Sequence, residues 1–167
     1  MIDQPLPAER TASRQSGQSA TRTRPVILAI EDSDDDFFLL QRAFNKLGAV
    51  TELAHVENGL EALKYLARAK ENPSLLPALL LLDLKLPGMS GLELLSTVRK
   101  DPVFRPMVVN ILTSSAEPSD IEQAFALGAN AYTVKPMGLA QYEELVDGLY
   151  KFWFQLCQLP ALAGSKT

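Results

Sequence analysis

A single cysteine, Cys157, stands in a chain of 167 residues, so no internal disulfide framework can form and the composition fits a reducing cytoplasmic setting. There is also only one histidine, His55 in "LAHV". That leaves a histidine-based metal site or a Ser-His triad little support, and His55 reads as structural. Basic residues are outnumbered, 16 Lys and Arg against 20 Asp and Glu, and the net charge of −4 argues against a broad nucleic-acid surface. No apolar run approaches the ~20 residues needed to cross a membrane. Large apolar side chains are scarce in residues 1–24, "MIDQPLPAERTASRQSGQSATRTR". Without an apolar h-region this stretch is no secretory signal, and it is expected to be a disordered, solvated tail.

From Pro25 onward the pattern changes. "PVILAI" is a short continuous apolar run of the kind found in a strand covered on both faces. "DDDFFLLQRAFNKLG" follows with Phe37, Leu40, Phe44 and Leu47 at helical spacing and Gly48 as its stop. The alternation continues through "TELAHV", "GLEALKYLARAK" with Leu60, Leu63 and Leu66 or Ala67 inward, and the loop "ENPSLLP". Then come the strand "ALLLLD", the helix "SGLELLSTVRK", the strand "MVVNILT", the helix "PSDIEQAFALG" and the short strand "AYTV". One long amphipathic helix, "LAQYEELVDGLYKFWFQL", closes the series. Strict β/α alternation with short connections predicts an α/β fold, a doubly wound five-stranded parallel sheet with five helices.

In such a sheet the ligand site lies beyond the carboxyl ends of the strands. Glu31 and Asp32 end the first strand, Asp83 the third, Thr113 the fourth and Lys135 the fifth. Three carboxylates in one pocket repel one another, and without compensation at least one pKa must rise. A hard divalent cation with oxygen ligands, Mg²⁺ above all, is the usual compensation. With an ammonium from Lys135 and a hydroxyl from Thr113, the set suits oxyanion binding and phosphoryl transfer. Asp83 carries the most weight, because after "LLLL" a solvated charge is not expected. Asp34, Asp35 and Asp36 read as partners of the helix dipole. Gly88 and Gly91 in "PGMSG" match no dinucleotide or Walker spacing and are read as permitting the turn into the third helix.

In combination these segments resemble the receiver domain of two-component response regulators, over roughly residues 25–156. "VILAIEDSDDD" is similar to the acidic first-strand motif, and "LLLLDLKLPGMSGLELL" to the phosphoacceptor segment. "VVNILTSSA" and "GANAYTVKP" are similar to the switch-hydroxyl and tyrosine/lysine-proline segments. The resemblance implies a flavodoxin-like fold over residues 25–157, with short tails at 1–24 and 158–167. It implies Asp83 as phosphoacceptor, and Asp32, Asp83 and the Lys85 backbone carbonyl as Mg²⁺ ligands, with Glu31 acting through water. It implies Lys135 as the phosphoryl contact, Thr113 as switch hydroxyl and Tyr132 as switch aromatic. It also implies a cis Lys135–Pro136 peptide. The chain would then be no enzyme beyond its own phosphorylation and dephosphorylation.

Only about ten residues follow Leu156, so the expectation is a stand-alone receiver whose output is a protein contact. Within the last helix, Tyr142, Leu145, Val146, Leu149 and Trp153 form one stripe. Tyr150, Phe152 and Phe154 lie on other faces, more than one sheet face can bury, which points to a homodimer interface. The acidic motif, the long loop before the third strand and the terminal "FW" resemble the small receivers paired with phytochrome-type kinases. That implies a sensor histidine kinase, here a bacteriophytochrome, as partner. The alternative is a phosphate shuttle or sink working with a histidine phosphotransfer protein. A phosphatase with an aspartyl nucleophile typically needs an Asp two residues on, where this chain has Lys85.

Overall fold

The computed structural model describes residues 24–48 and 50–160. The expected N-terminal tail therefore lies outside the described residues apart from Arg24, as do residues 161–167 of the C-terminal one. Ten main elements alternate: β1 (Val26–Ile30), α1 (Asp34–Leu47), β2 (Glu52–Val56), α2 (Gly59–Glu71), β3 (Pro77–Leu82), α3 (Gly91–Lys100), β4 (Val108–Thr113), α4 (Pro118–Ala126), β5 (Ala131–Val134) and α5 (Leu139–Tyr150). All strand pairs are parallel, in the order β2-β1-β3-β4-β5. The first crossover runs one way from β1 and the later ones run the other way, so the switch point falls between β1 and β3.

The period-2 alternation of strand side chains sorts the core into two layers. Leu28, Ile30, Leu80, Leu82, Val109 and Ile111 pack with α2, α3 and α4. Ile27, Ala29, Leu79, Leu81, Val108 and Leu112 pack with α1 and α5. The four leucines of β3 are almost fully buried, and each contributes about 1.5–3 kcal/mol of burial. This is the physical content of the unbroken "LLLL" run: a central parallel strand has no solvent face.

Local signals set the helix starts. The Ser33 hydroxyl accepts from the Asp36 amide (3.3 Å) at the start of α1, and the Asn58 side chain accepts from Glu61 (2.9 Å) at the start of α2. Ser90 and Glu93 form a reciprocal capping box on α3. Gly48 and Gly128, at φ of +90° and +94°, take positive-φ conformations that side chains disfavour at the ends of α1 and α4.

Three expectations change. Leu60 is exposed rather than inward, because the buried face of α2 is Gly59, Ala62, Leu66 and Ala69. The loop before β3 contains a 3-10 turn, Pro73–Leu75. The last helix is not one α-helix: after Tyr150 it rewinds as a π-helical turn, Lys151–Leu156, with the Cys157 amide bonded to the Phe152 carbonyl (3.0 Å). In this wider winding the neighbours Trp153 and Phe154 both pack against the α1/α5 layer, as does Leu159. Among the described residues no helix is long and apolar enough to cross a membrane.

Candidate functional site

The site lies at the carboxyl ends of β1, β3, β4 and β5, beside the switch point. Asp83 follows β3 directly and is 4 % exposed, and Glu31 follows β1 and is 5 % exposed. One oxygen from each of Glu31, Asp32 and Asp83 lies within 4.8 Å of the other two. Asp32 faces solvent, so the cluster is open on one side. Into it reaches Lys135 from just beyond β5, its Nζ 2.6 Å from Glu31, 2.6 Å from Asp83 and 2.9 Å from Asp36. The expected gathering of Glu31, Asp32, Asp83 and Lys135 from distant segments is met.

The electrostatics divide the two buried acids. Burial alone would raise the Asp83 pKa, but hydrogen bonds from Lys135 and Thr113 and the Lys85 amide (3.1 Å) outweigh it and hold the carboxyl below its ordinary value. For Glu31 burial wins over Lys135 and the Ser33 amide, and the pKa is raised. One carboxylate is raised, as expected, but burial rather than repulsion is the main cause, and repulsion from Asp83 adds least. Burial by itself would lower the Lys135 ammonium, yet its bonds to Asp83, Glu31 and Asp36 carry it well above its usual value. Asp83 is thus a buried carboxylate kept ionised.

Thr113 is fully buried at the end of β4, and its hydroxyl accepts the Ser115 amide (3.4 Å). Tyr132, half-buried on β5, donates to the Ser115 carbonyl (3.1 Å). Both side chains therefore converge on the same loop residue. Lys85 is exposed, and its amide points to the Asp83 carboxylate. The Lys135–Pro136 peptide is trans, like every described peptide bond, which corrects the cis expectation. Trans is the lower-energy isomer before proline by about 0.5–1 kcal/mol, and from it Lys135 already reaches all three carboxylates.

At the C-terminus, Phe152 is 51 % exposed and meets Trp153 edge-on at 4.8 Å. Phe154 instead packs on the chain's own core, with Tyr150 tilted against it at 5.7 Å. Of the three aromatics expected to lie away from the core, Phe152 does so, whereas Phe154 turns inward within the π turn.

Three residues at the site escaped the sequence reading. Asp36 does more than face the helix dipole, because it pairs with Lys135 and accepts from Tyr142 (3.4 Å). Tyr142 is buried, and burial followed by the neighbouring Asp36 raises its pKa. His55, read as structural, reaches the end of the first strand: its Nε2 lies 2.8 Å from the Glu31 carbonyl oxygen. The only signal for Asp36 was its place one helical turn after Asp32; nothing in the sequence pointed to the other two.

Hard carboxylate oxygens, converging and partly open to solvent, fit a divalent cation with several oxygen ligands.

A family model described as the response regulator receiver domain matches residues 27–147. Response regulator Rcp1 of Synechocystis sp. is 34% identical over 137 residues, covering 81% of this chain and 93% of that protein. The crystal structure of its Mn²⁺-bound form superposes with a TM-score of 0.73 at 33% identity, over 82% of this chain and 99% of that one. The phosphorylated cyanobacterial phytochrome response regulator RcpA gives a TM-score of 0.76 at 33% identity, over 83% and 99%. Sporulation initiation phosphotransferase F of Bacillus subtilis is 33% identical over 126 residues, 75% of this chain and 91% of that protein.

Proposed function

The chain belongs to the response regulator receiver domain family, and from that premise we propose that Asp83 accepts a phosphoryl group from a sensor histidine kinase. The single observation that carries this reading is the buried Asp83 carboxylate, held ionised 2.6 Å from Lys135 and beside Asp32 and Glu31. An ionised carboxylate is the nucleophile an in-line attack on phosphorus needs. In the transfer the phosphorus–nitrogen bond of a phosphohistidine breaks and a bond from phosphorus to an Asp83 oxygen forms. The imidazole leaves with the electron pair and takes up a proton.

Asp32, Asp83 and the Lys85 backbone carbonyl are the residues that would hold Mg²⁺, with Glu31 acting through a water. When bound, the ion supplies charge neutralisation for the phosphoryl oxygens and the acids. Lys135, which spans three carboxylates, would release Asp83 and contact a phosphoryl oxygen. Thr113 would turn toward the new oxygens, giving up its contact with the Ser115 amide. Tyr132, bonded to the Ser115 carbonyl, is the aromatic poised to follow. A local charge change would thereby bias a packed two-state element.

The kinase is read as one of the phytochrome type, a bacteriophytochrome, with support for the phytochrome link from the likeness to RcpA; the setting is read as cytoplasmic from the single cysteine. The receiver is read as residues 25–157, with tails on either side. A homodimer through the C-terminal helix rests on exposed Phe152 and Leu156, together with half-buried Tyr150. The alternative reading, a shuttle or sink that passes the group to a histidine phosphotransfer protein, is favoured by the likeness to the sporulation phosphotransferase.

The experiment is incubation of wild type and Asp83→Asn with phosphorylated candidate kinases, with and without Mg²⁺. Labelling of wild type alone, dependent on the ion, is expected. Equal labelling of both proteins overturns Asp83 as acceptor. A short-lived phosphoryl group with rapid return to a histidine phosphotransfer protein would select the alternative.

A further inference from the structure

We propose that His55 is a positioning residue for the acidic site: it fixes the peptide that carries Asp32 and the first turn of α1. The inference rests on the reading of Asp32 and Glu31 as metal-site residues.

The β1–β2 register ends at Ile30 and Val56. One step further, the Glu31 amide still donates to the Val56 carbonyl (3.0 Å). The Glu31 carbonyl is met by a side chain instead, His55 Nε2 at 2.8 Å. His55 lies in register with Ala29, and the strand alternation turns it to the α1 side of the sheet. A carbonyl oxygen only accepts, so this bond requires a proton on Nε2. The Glu31 carbonyl belongs to the peptide plane that leads into Asp32. Holding it restrains the backbone from which the Asp32 side chain departs.

The same ring stacks flat on Phe37, centroids 3.6 Å apart and planes 8° from parallel. Phe37 follows Asp36, which pairs with Lys135. One imidazole on an edge strand therefore grips both halves of the acidic segment, the Glu31–Asp32 peptide and the start of α1. Carboxylates that must converge on a small cation gain affinity when their backbone is fixed beforehand, and losing an outer partner of this kind lowers metal affinity.

Two variants separate the two contacts. His55→Phe keeps the stack and removes the donor, whereas His55→Gln keeps a donor and removes the stack. Mn²⁺ affinity is measured by calorimetry, and folding by circular dichroism. His55→Phe is expected to bind about tenfold more weakly than wild type, and His55→Gln within about threefold of it. In metal-free wild type, nitrogen-detected NMR of the ring is expected to show the proton on Nε2. The proposal is overturned if His55→Phe binds as wild type does, if His55→Gln falls as far as His55→Phe, or if the ring proton sits on Nδ1 alone. Should His55→Phe not fold, the ring proton and His55→Gln decide. Failure of wild type itself to bind Mn²⁺ would overturn the metal reading and this inference with it, whereas normal wild-type binding with an indifferent His55→Phe overturns this inference alone.

Discussion

Gly91 lies so close to Asp83 that a Cβ built on it would stand 2.1 Å from the Asp83 carbonyl oxygen and 2.7 Å from the Leu84 Cα. The Gly91 amide also donates to the Leu84 carbonyl (3.0 Å). The start of α3 is thus pressed against the backbone that presents the phosphoacceptor candidate. Neither contact involves a flexible side chain, so neither can give way cheaply.

Gly91→Ala is therefore expected to destabilise the protein by about 1–3 kcal/mol, as overpacking does. Gly148→Ala, in α5 where an added Cβ meets nothing within 4 Å, should stabilise it by about 0.5–1 kcal/mol. Urea denaturation of the two variants checks the contrast. Equal effects would mean that the tight approach at Gly91 is not real in solution.

Glu31 and Asp83 predict opposite pH behaviour. Burial raises the Glu31 pKa above 4.5, so its contribution to stability is full below that value and is lost as pH rises through the folded pKa. Asp83 is lowered below 3.8: burial opposes this, and Lys135 overcomes it. Its contribution is present above 3.8 and lost as pH falls through the folded pKa. In metal-free protein, Glu31→Gln should therefore gain stability over wild type as pH rises from acid to neutral. A gap that stays constant with pH counts against the raised Glu31 pKa.

Arg99 bonds four neutral acceptors from two segments: the Gly128, Arg105 and Met107 carbonyls and the Asn130 side chain, at 2.9–3.2 Å. Asn130 in turn accepts the Val109 amide (2.8 Å). An ammonium cannot reproduce this fork, so Arg99→Lys should lower stability by about 2 kcal/mol. Thermal unfolding measures it. A loss within error of zero would mean that water replaces these bonds.

The C-terminal aromatics should separate by role. Phe152→Ser is expected to abolish self-association and, with it, any dependence of the unfolding midpoint on protein concentration. Phe154→Ser should lower stability on the order of 1–2 kcal/mol, because Phe154 packs on the core. Sedimentation paired with denaturation reads both. A dimer that persists in Phe152→Ser removes that side chain from the interface.

Much of this molecule was readable before any coordinates. Continuous apolar runs gave the buried strands, 3.6-residue periodicity gave the helices, and Gly48 and Gly128 marked helix ends. Asp83, Glu31, Asp32 and Lys135 could be placed at one edge because parallel topology fixes where strand ends lie. The failures are also physical. Leu60 sits on an apolar-looking helix whose inward face is small, so hydrophobicity alone misplaced it. The stripe from Tyr142 to Trp153 packs on the core as its period implied, but the π turn after Tyr150 brings Phe154 inward as well, where a 3.6-residue period places it on another face.

By itself the sequence determined the order of the layers and which chemistry arrives at the strand ends, because both follow from local periodicity and chain direction. Tertiary structure alone decided that Asp36, Tyr142 and His55 belong to the acidic site and that Phe154 turns inward. It also decided that Glu31 rather than Asp83 bears the raised pKa. Those outcomes depend on distances between segments far apart in the chain and on how much water each carboxylate loses, and no local pattern of residues encodes either.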